Sequence, residues 1–271
     1  MENYAECTAQ NLAAVRQNGP LVHNITNFVV MNFTANVLLA MGASPVMAHA
    51  PNEVEEMAAM ANALVLNIGT LTDEWVASMI KAGQRAALAD TPIILDPAGA
   101  GATTFRTASA QRIINQTRVH VIRGNASEIM SFSDSNGATK GVETTLDVES
   151  VADDARKLAD KTDITMAVTG AVDLVSDGDR VVRVANGHPM MARVTGAGCA
   201  ATAIIGAFMA VDADPVRAAV TALAYYGVAG ELAANTASGP GSFVPALLDA
   251  LHNIKPDELP ERVRIDETRK Y

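Results

Sequence analysis

Ala63-Leu64-Val65-Leu66-Asn67-Ile68 is a run of strand length that is apolar at every position but one. A strand with one wet face alternates apolar and polar residues. A run without that alternation needs cover on both faces, as in a parallel sheet packed between helices. The strand is placed at Leu64–Ile68. Working outward, similar runs predict strands at Leu21–Asn24, Ser44–Met47, Ile93–Asp96, Val119–Ile122 and Ile164–Val168. Longer helical patterns fall between them, at Asn27–Met41, Glu53–Asn62, Thr72–Leu88, Thr107–Gln116 and Val148–Asp160. Alternation of this kind implies βαβ units and a doubly wound α/β fold. The pattern then changes. Val172–Ser176 and Arg180–Ala185 flank Asp177-Gly178-Asp179, which reads as an antiparallel hairpin on the sheet edge. The last third is helical, at Ala200–Met209, Pro215–Ala234 and Gly241–His252. The Ala-rich stretch Arg217–Ala224 suits burial, against the chain itself or a neighbouring subunit. The charged, Pro-punctuated tail over 255–271 is expected on the surface. With no internal repeat or low-complexity linker, 1–271 reads as one domain.

The 271 residues are 49% hydrophobic, enough for a sizeable core, and carry a formal charge of −10. An acidic chain is a poor partner for nucleic acid, which demands a basic face. A nucleotide ligand remains open, because local amides, one cation and a metal can handle its charge. Cys7 and Cys199 form no disulfide framework and suit a reducing compartment. The acidic start Met1-Glu2-Asn3-Tyr4-Ala5-Glu6 has no signal-peptide pattern, and no run of about 18 residues is apolar throughout. The expectation is a cytoplasmic protein away from membranes. The histidines lack metal-ligand spacing, and neither a nucleophile elbow nor a P-loop motif occurs.

Polar residues cluster at the ends of the predicted strands, where open α/β sheets bind ligands. In Val194-Thr195-Gly196-Ala197-Gly198-Cys199-Ala200-Ala201-Thr202-Ala203, two glycines precede an apolar helix. Free amides and the positive end of a helix dipole then face one spot, which suits a phosphate. Cys199 falls in about the first turn, where a thiol is most easily deprotonated. A tight strand–helix turn is the plainer reading. His23-Asn24-Ile25-Thr26-Asn27 supplies an N-cap, Thr26 or Asn27, for a helix starting near Phe28. Its four polar side chains also suit contact with a substrate. Met47 is either core filler or a polarizable wall for a small aromatic ligand.

Asp96, before Pro97-Ala98-Gly99-Ala100-Gly101, ends an apolar strand, where a carboxylate needs a pair, a cap or a metal. It either holds Mg²⁺ through water, orients a phosphate-bound cation, or forms an Asp-Pro turn. In Arg123-Gly124-Asn125-Ala126-Ser127-Glu128, Arg123 can reach phosphate oxygens. Asn125 and Glu128 have capping-box spacing, or belong with a hydrated Mg²⁺. Thr169-Gly170 reads as a nucleotide contact or as a simple turn.

Together and in this order, these motifs resemble the hydroxyethylthiazole kinase family of the ribokinase-like superfamily, from about Leu21 to about Ile265. The resemblance implies a mainly parallel sheet covered by helices on both faces, with an antiparallel edge hairpin. It implies MgATP-dependent phosphorylation of the primary alcohol of 4-methyl-5-(2-hydroxyethyl)thiazole. Met47, Gly196 and Asn27 correspond to the thiazole pocket, Arg123 and Thr169 to ATP, and Asp96 and Glu128 to Mg²⁺ and the phosphates. Cys199, Gly196 and Gly198 correspond to the catalytic loop. Related sugar kinases carry Asp where this chain has Cys199, so the thiol is expected to tune the reaction while the loop amides carry it. The resemblance also implies a homotrimer with active sites between subunits. A kinase for another small alcohol such as hydroxymethylpyrimidine, a nucleotide-dependent lyase of the same fold, and a non-catalytic nucleotide-binding protein are the competing readings. A dehydrogenase is disfavoured, because the Gly-x-Gly motif does not follow the first strand.

Overall fold

The computed structural model describes residues 2–133 and 148–269. Its strands are Leu21–Ile25 (β1), Ser44–Val46 (β2), Ala63–Asn67 (β3), Ile93–Asp96 (β4), Val121–Asn125 (β5), Thr165–Thr169 (β6), Asp173–Ser176 (β7), Arg180–Val184 (β8) and Ile265–Arg269 (β9). The helices are Tyr4–Asn18 (α1), Met31–Met41 (α2), Val54–Met60 (α3), Asp73–Leu88 (α4), Thr104–Gln116 (α5), Ala126–Met130 (α6), Ala152–Thr162 (α7), Ala197–Met209 (α8), Pro215–Thr236 (α9) and Pro240–Asn253 (α10). Among the described residues the strands form one nine-stranded sheet in the order β2-β1-β3-β4-β5-β6-β7-β8-β9. Pairing is parallel from β2 to β6 and antiparallel from β6 to β9.

Successive side chains of a strand point to opposite faces, and the parallel strands follow that rule into two separate cores. Ala63 and Val65 of β3, Ile94 of β4, Val121 of β5 and Ala167 of β6 pack with α1, α2, α8, α9 and α10. Leu64, Leu66, Ile93, Leu95, Ile122, Met166 and Val168 pack with α3 to α7 on the other side. Both faces are therefore covered, which is why β3 carries no alternation to read. Continuing the same register, Asn67, Asp96, Arg123 and Thr169 all fall on the α8 face, at the carboxyl ends of β3, β4, β5 and β6.

Several expectations shift. The helix after β1 starts at Met31 rather than near Phe28, and its N-cap position, Val30, makes no side-chain capping bond. Asn27 instead accepts from the Val29 amide and forms a turn of its own. The strand expected at Val119–Ile122 runs on to Asn125, and α5 starts three residues early behind a Thr103 cap. The Ala-rich segment of α9 is buried within its own chain, so it offers no free face to a neighbour. The tail is not merely a surface appendage: Leu259 is fully buried, and β9 pairs antiparallel with β8. The antiparallel hairpin stands on that side of the sheet as expected, with β9 added outside it. Helix α1, capped by Asn3 and closed by Gly19 in the left-handed region, had no counterpart in the sequence reading. Among the described residues, no helix is long and apolar enough to cross a membrane.

Candidate active site

Helix α8 begins at the centre of the site. Gly196 caps it with φ +89, and a Cβ there would stand 2.8 Å from Val30 Cγ1. Both facts require glycine at this turn. A helix leaves its first amides without intrahelical partners, so the Gly198 and Cys199 amides stand at the open, positive end. Gly198 answers a different need. A Cβ on it would lie 2.6 Å from Arg123 Nη1, because the guanidinium lies directly against this turn.

Arg123 reaches there from β5. It donates through Nη2 to Thr169 Oγ1 on β6, and its Nη1 lies 3.7 Å from Asp96 Oδ2. Its buried Nε has no hydrogen-bond partner among the described residues. Asp96 is 1% exposed, and Thr202 Oγ1 of α8 donates to its Oδ2 at 2.9 Å. Burial pushes the Asp96 carboxyl up to about 6 against the pull of Arg123, while Glu128 nearby raises it further. Asp96 is thus an ionisable group held at the interior end of β4, not the hydrogen-bonding residue of an Asp-Pro turn. The turn that follows is closed by Ala100 N to Pro97 O.

Glu128 does form the capping box, accepting from Asn125 N at 2.8 Å while Asn125 Oδ1 accepts from Glu128 N at 2.9 Å. Its other oxygen accepts from Gly99 N at 2.8 Å. The cap therefore does not consume the residue: it holds the carboxylate beside the loop after β4. Gly170 N donates to Asp173 Oδ1 in the turn after β6, which leaves Thr169 to Arg123.

On the other flank, at the switch point between β1 and β3, Asn27 Nδ2 donates to Asn67 Oδ1 at 2.9 Å and lies 3.6 Å from Cys199 Sγ. The thiol is not activated as the helix position suggests. Burial pushes it up to about 12, and the Asp96 carboxylate adds to the shift. The desolvation of the charged form outweighs the helix dipole here. Met47 directly follows β2 and is half-buried. His23 is turned away: it faces the α3 side, with its Nε2 2.6 Å from Ala48 O, and is fully buried. The strand period separates His23 from the site face and was readable in advance. At the rim, His49 stacks on Trp75 at 4.3 Å, and Phe28 meets Trp75 edge-on at 4.7 Å.

The structure thus brings Asn27, Asp96, Arg123, Thr169, Gly196, Gly198 and Cys199 together, with Glu128 alongside. Sequence reasoning missed Asn67 and Thr202. Asn67 was in plain view as the only polar residue of the β3 run. Thr202 sits one turn after Gly198, a spacing that puts it on the same helix face. Among the described residues, no three acidic, histidine or cysteine side chains cluster as an all-protein metal cage.

The comparisons with known proteins bear on this constellation. Residues 12–257 match the hydroxyethylthiazole kinase family. The chain belongs to that family. It is 60% identical to the hydroxyethylthiazole kinase of Desulfotalea psychrophila, over 99% of this chain and 98% of the relative. The Moorella thermoacetica hydroxyethylthiazole kinase is 51% identical over 97% and 98% of the two chains. Among solved structures, the hydroxyethylthiazole kinase protein of Pyrococcus horikoshii OT3 superposes with a TM-score of 0.89 at 45% identity, covering 97% of this chain and 99% of that one. The ADP complex of Staphylococcus aureus pyridoxal kinase, at 14% identity and a TM-score of 0.67 over 93% of this chain and 99% of that one, shares the ribokinase-like fold. Family membership makes this chain a kinase.

Proposed function

We propose that the chain transfers the γ-phosphoryl group of ATP to the primary hydroxyl of 4-methyl-5-(2-hydroxyethyl)thiazole, as a step of thiamine salvage. The observation that carries this reading is the open turn of α8, with Arg123 packed against Gly198 and Asp96 held behind it by Thr202. The alcohol oxygen attacks the γ-phosphorus as the bond to the bridging oxygen breaks, giving ADP and the thiazole phosphate. The hydroxyl proton leaves to water or to a phosphate oxygen. Such a transition state is loose and spreads charge over the equatorial oxygens. Catalysis then rests on placing the two reactants and on donors that meet the charge. Arg123 and the amides of Gly198 and Cys199 meet it, with Gly196 shaping the turn. Thr169 orients Arg123 and joins it at ATP.

The acceptor side is formed by Asn27, Gly196 and Met47. Cys199, a protonated thiol beside Asn27, shapes and tunes this side rather than abstracting the proton. Mg²⁺ fits the acidic side, because it keeps several waters and asks for only one or two carboxylates. Asp96 and Glu128 would hold it through water, and it would supply charge neutralisation on the phosphates. The reading includes a cytoplasmic location, which two free thiols suit. It also includes a homotrimer with sites between subunits. Phe28 and Val29, next to Asn27 and 62% and 66% exposed, are apolar surface that such packing would cover.

The decisive assay measures ADP release from MgATP with the hydroxyethylthiazole, hydroxymethylpyrimidine, pyridoxal or no acceptor. Thiazole-dependent release with a phosphorylated thiazole by mass spectrometry is expected. Release with another alcohol only would overturn the pocket around Met47. Release without any acceptor would favour the lyase chemistry. Light scattering of the purified protein tests the trimer.

A further inference from the structure

We infer that Arg106, outside the reacting groups, is a positioning residue that fixes the distance between the acceptor side and the phosphate side of the site. The inference rests on the kinase reading above. Arg106 lies in the first turn of α5, and among the described residues its three side-chain hydrogen bonds all go to main-chain carbonyls. Nη1 donates to Ile68 O at 3.0 Å and to Ala98 O at 2.7 Å, and Nη2 donates to Gly69 O at 2.8 Å. One planar group therefore ties the loop after β3 to the loop after β4. Only a guanidinium offers several donors in one rigid plane for such a task.

Each loop leads to a different reactant. From the loop after β3, Gly69 N donates to Asn67 Oδ1, which also receives Asn27 Nδ2, and Asn27 lies against Cys199. Thr70 Oγ1 of the same loop accepts from Phe28 N at 3.1 Å. That chain of contacts holds the acceptor side. From the loop after β4, Gly99 stands at φ +76 against the Arg106 stem, and its amide holds Glu128 at 2.8 Å. That chain holds the phosphate side. The two loops otherwise meet through the adjoining strands, as in Ile68 N to Asp96 O at 3.2 Å. Losing the clamp leaves each half assembled and lets the halves shift against each other. A small error in the approach of the alcohol to phosphorus slows the chemical step without weakening either binding event.

The test is steady-state kinetics of Arg106→Ala on the full chain, with thermal melting recorded alongside. The expected result is a fall in kcat of about 100-fold, with KM for ATP and for the thiazole alcohol each within about threefold of wild type. Millimolar guanidinium should restore part of the lost kcat. This readout separates positioning from mere folding, since guanidinium weakens a protein that is only unstable. Arg112→Ala, an exposed arginine of the same helix, should leave kcat unchanged. If Arg106→Ala does not fold, Arg106→Lys keeps the stem and charge, loses the fork, and should show the same kcat–KM split. Unchanged kcat, a loss carried wholly by KM, or no rescue by guanidinium would overturn the inference. Failure of the wild type to phosphorylate the thiazole would overturn the kinase reading instead, a distinguishable outcome.

Discussion

At β8, Arg180 spends its whole guanidinium. It gives Asp214 two bonds, at 2.6 and 2.9 Å, and Asp177 another from Nε at 2.9 Å. At β5, Arg123 reaches Thr169, stands 3.7 Å from Asp96, and leaves Nε with no partner among the described residues. The same residue type thus serves opposite ends in one sheet. Around the antiparallel strands, charge is paired out and holds parts together. At the carboxyl ends of the parallel strands, charge is buried with capacity left over. Folding tolerates unsatisfied buried donors poorly, so the free Arg123 Nε fits the proposed ATP site.

The sharpest way to break the comparison is to remove each arginine in turn. Arg123→Ala should lower kcat by about 1,000-fold, the scale of an arginine that meets phosphoryl charge in the transition state. Stability at pH 7 should fall as well, because the buried Asp96 carboxylate loses its neighbouring cation. A kcat within tenfold of wild type would place the charge-bearing group elsewhere. Gly198→Ala should act next most strongly, about 100-fold in kcat, because the new methyl must push the guanidinium aside. A crystal structure of this variant with Arg123 unmoved would refute that route.

How far the sequence revealed this division depends on the range of the signal. The apolar runs and the polar residues at their ends are local, so β1 to β6 and the residues Asp96, Arg123 and Thr169 could be placed without coordinates. The hairpin was legible from Asp177-Gly178-Asp179. What stayed hidden depends on distant contacts. β9 is a strand because β8 offers it an edge, and its charged residues carry no strand pattern of their own. The Arg106 guanidinium bonds to main-chain carbonyls, which have no sequence signature. The Cys199 thiol was misjudged because helix position is local, whereas burial and the nearness of Asp96 are set by the fold.

Cys199 sharpens the comparison from inside the site. With its thiol pushed up to about 12, essentially no thiolate exists at neutral pH. Cys199→Ala should therefore cost less than about tenfold in kcat, since removing the acceptor proton early gains little in a loose transition state. Between pH 7 and pH 9, wild type and variant should show parallel rate profiles. Iodoacetamide should alkylate Cys199 no faster across that range than it does a free thiol of ordinary reactivity. A wild-type rate that climbs with pH while the variant stays flat would restore the thiolate as base.

The smallest effect on catalysis is expected where the ion pairs are complete. Arg180→Met should leave kcat and both KM values unchanged, because β8 stands three strands away from β5 in the sheet. It should cost about 2 kcal/mol of stability at pH 7, the scale of partly buried, charge-assisted hydrogen bonds. For a chain of this size that is a melting shift of roughly 5 °C. Its pH dependence identifies the cause. Burial opposes ionisation of Asp214, yet the Arg180 bonds and the amides of Val216 and Arg217 hold its carboxyl below the usual range. A depressed carboxylate contributes stability above its unfolded value of about 3.9 and loses it as pH falls through the folded value. The gap in melting temperature between wild type and Arg180→Met should be full at pH 7 and close as the solution is taken below about pH 4. A gap that persists in acid would mean that Arg180 stabilises through its packed stem. The paired end of the sheet would then owe its strength to burial, as the cores do, and the contrast with Arg123 would rest on unsatisfied donors alone.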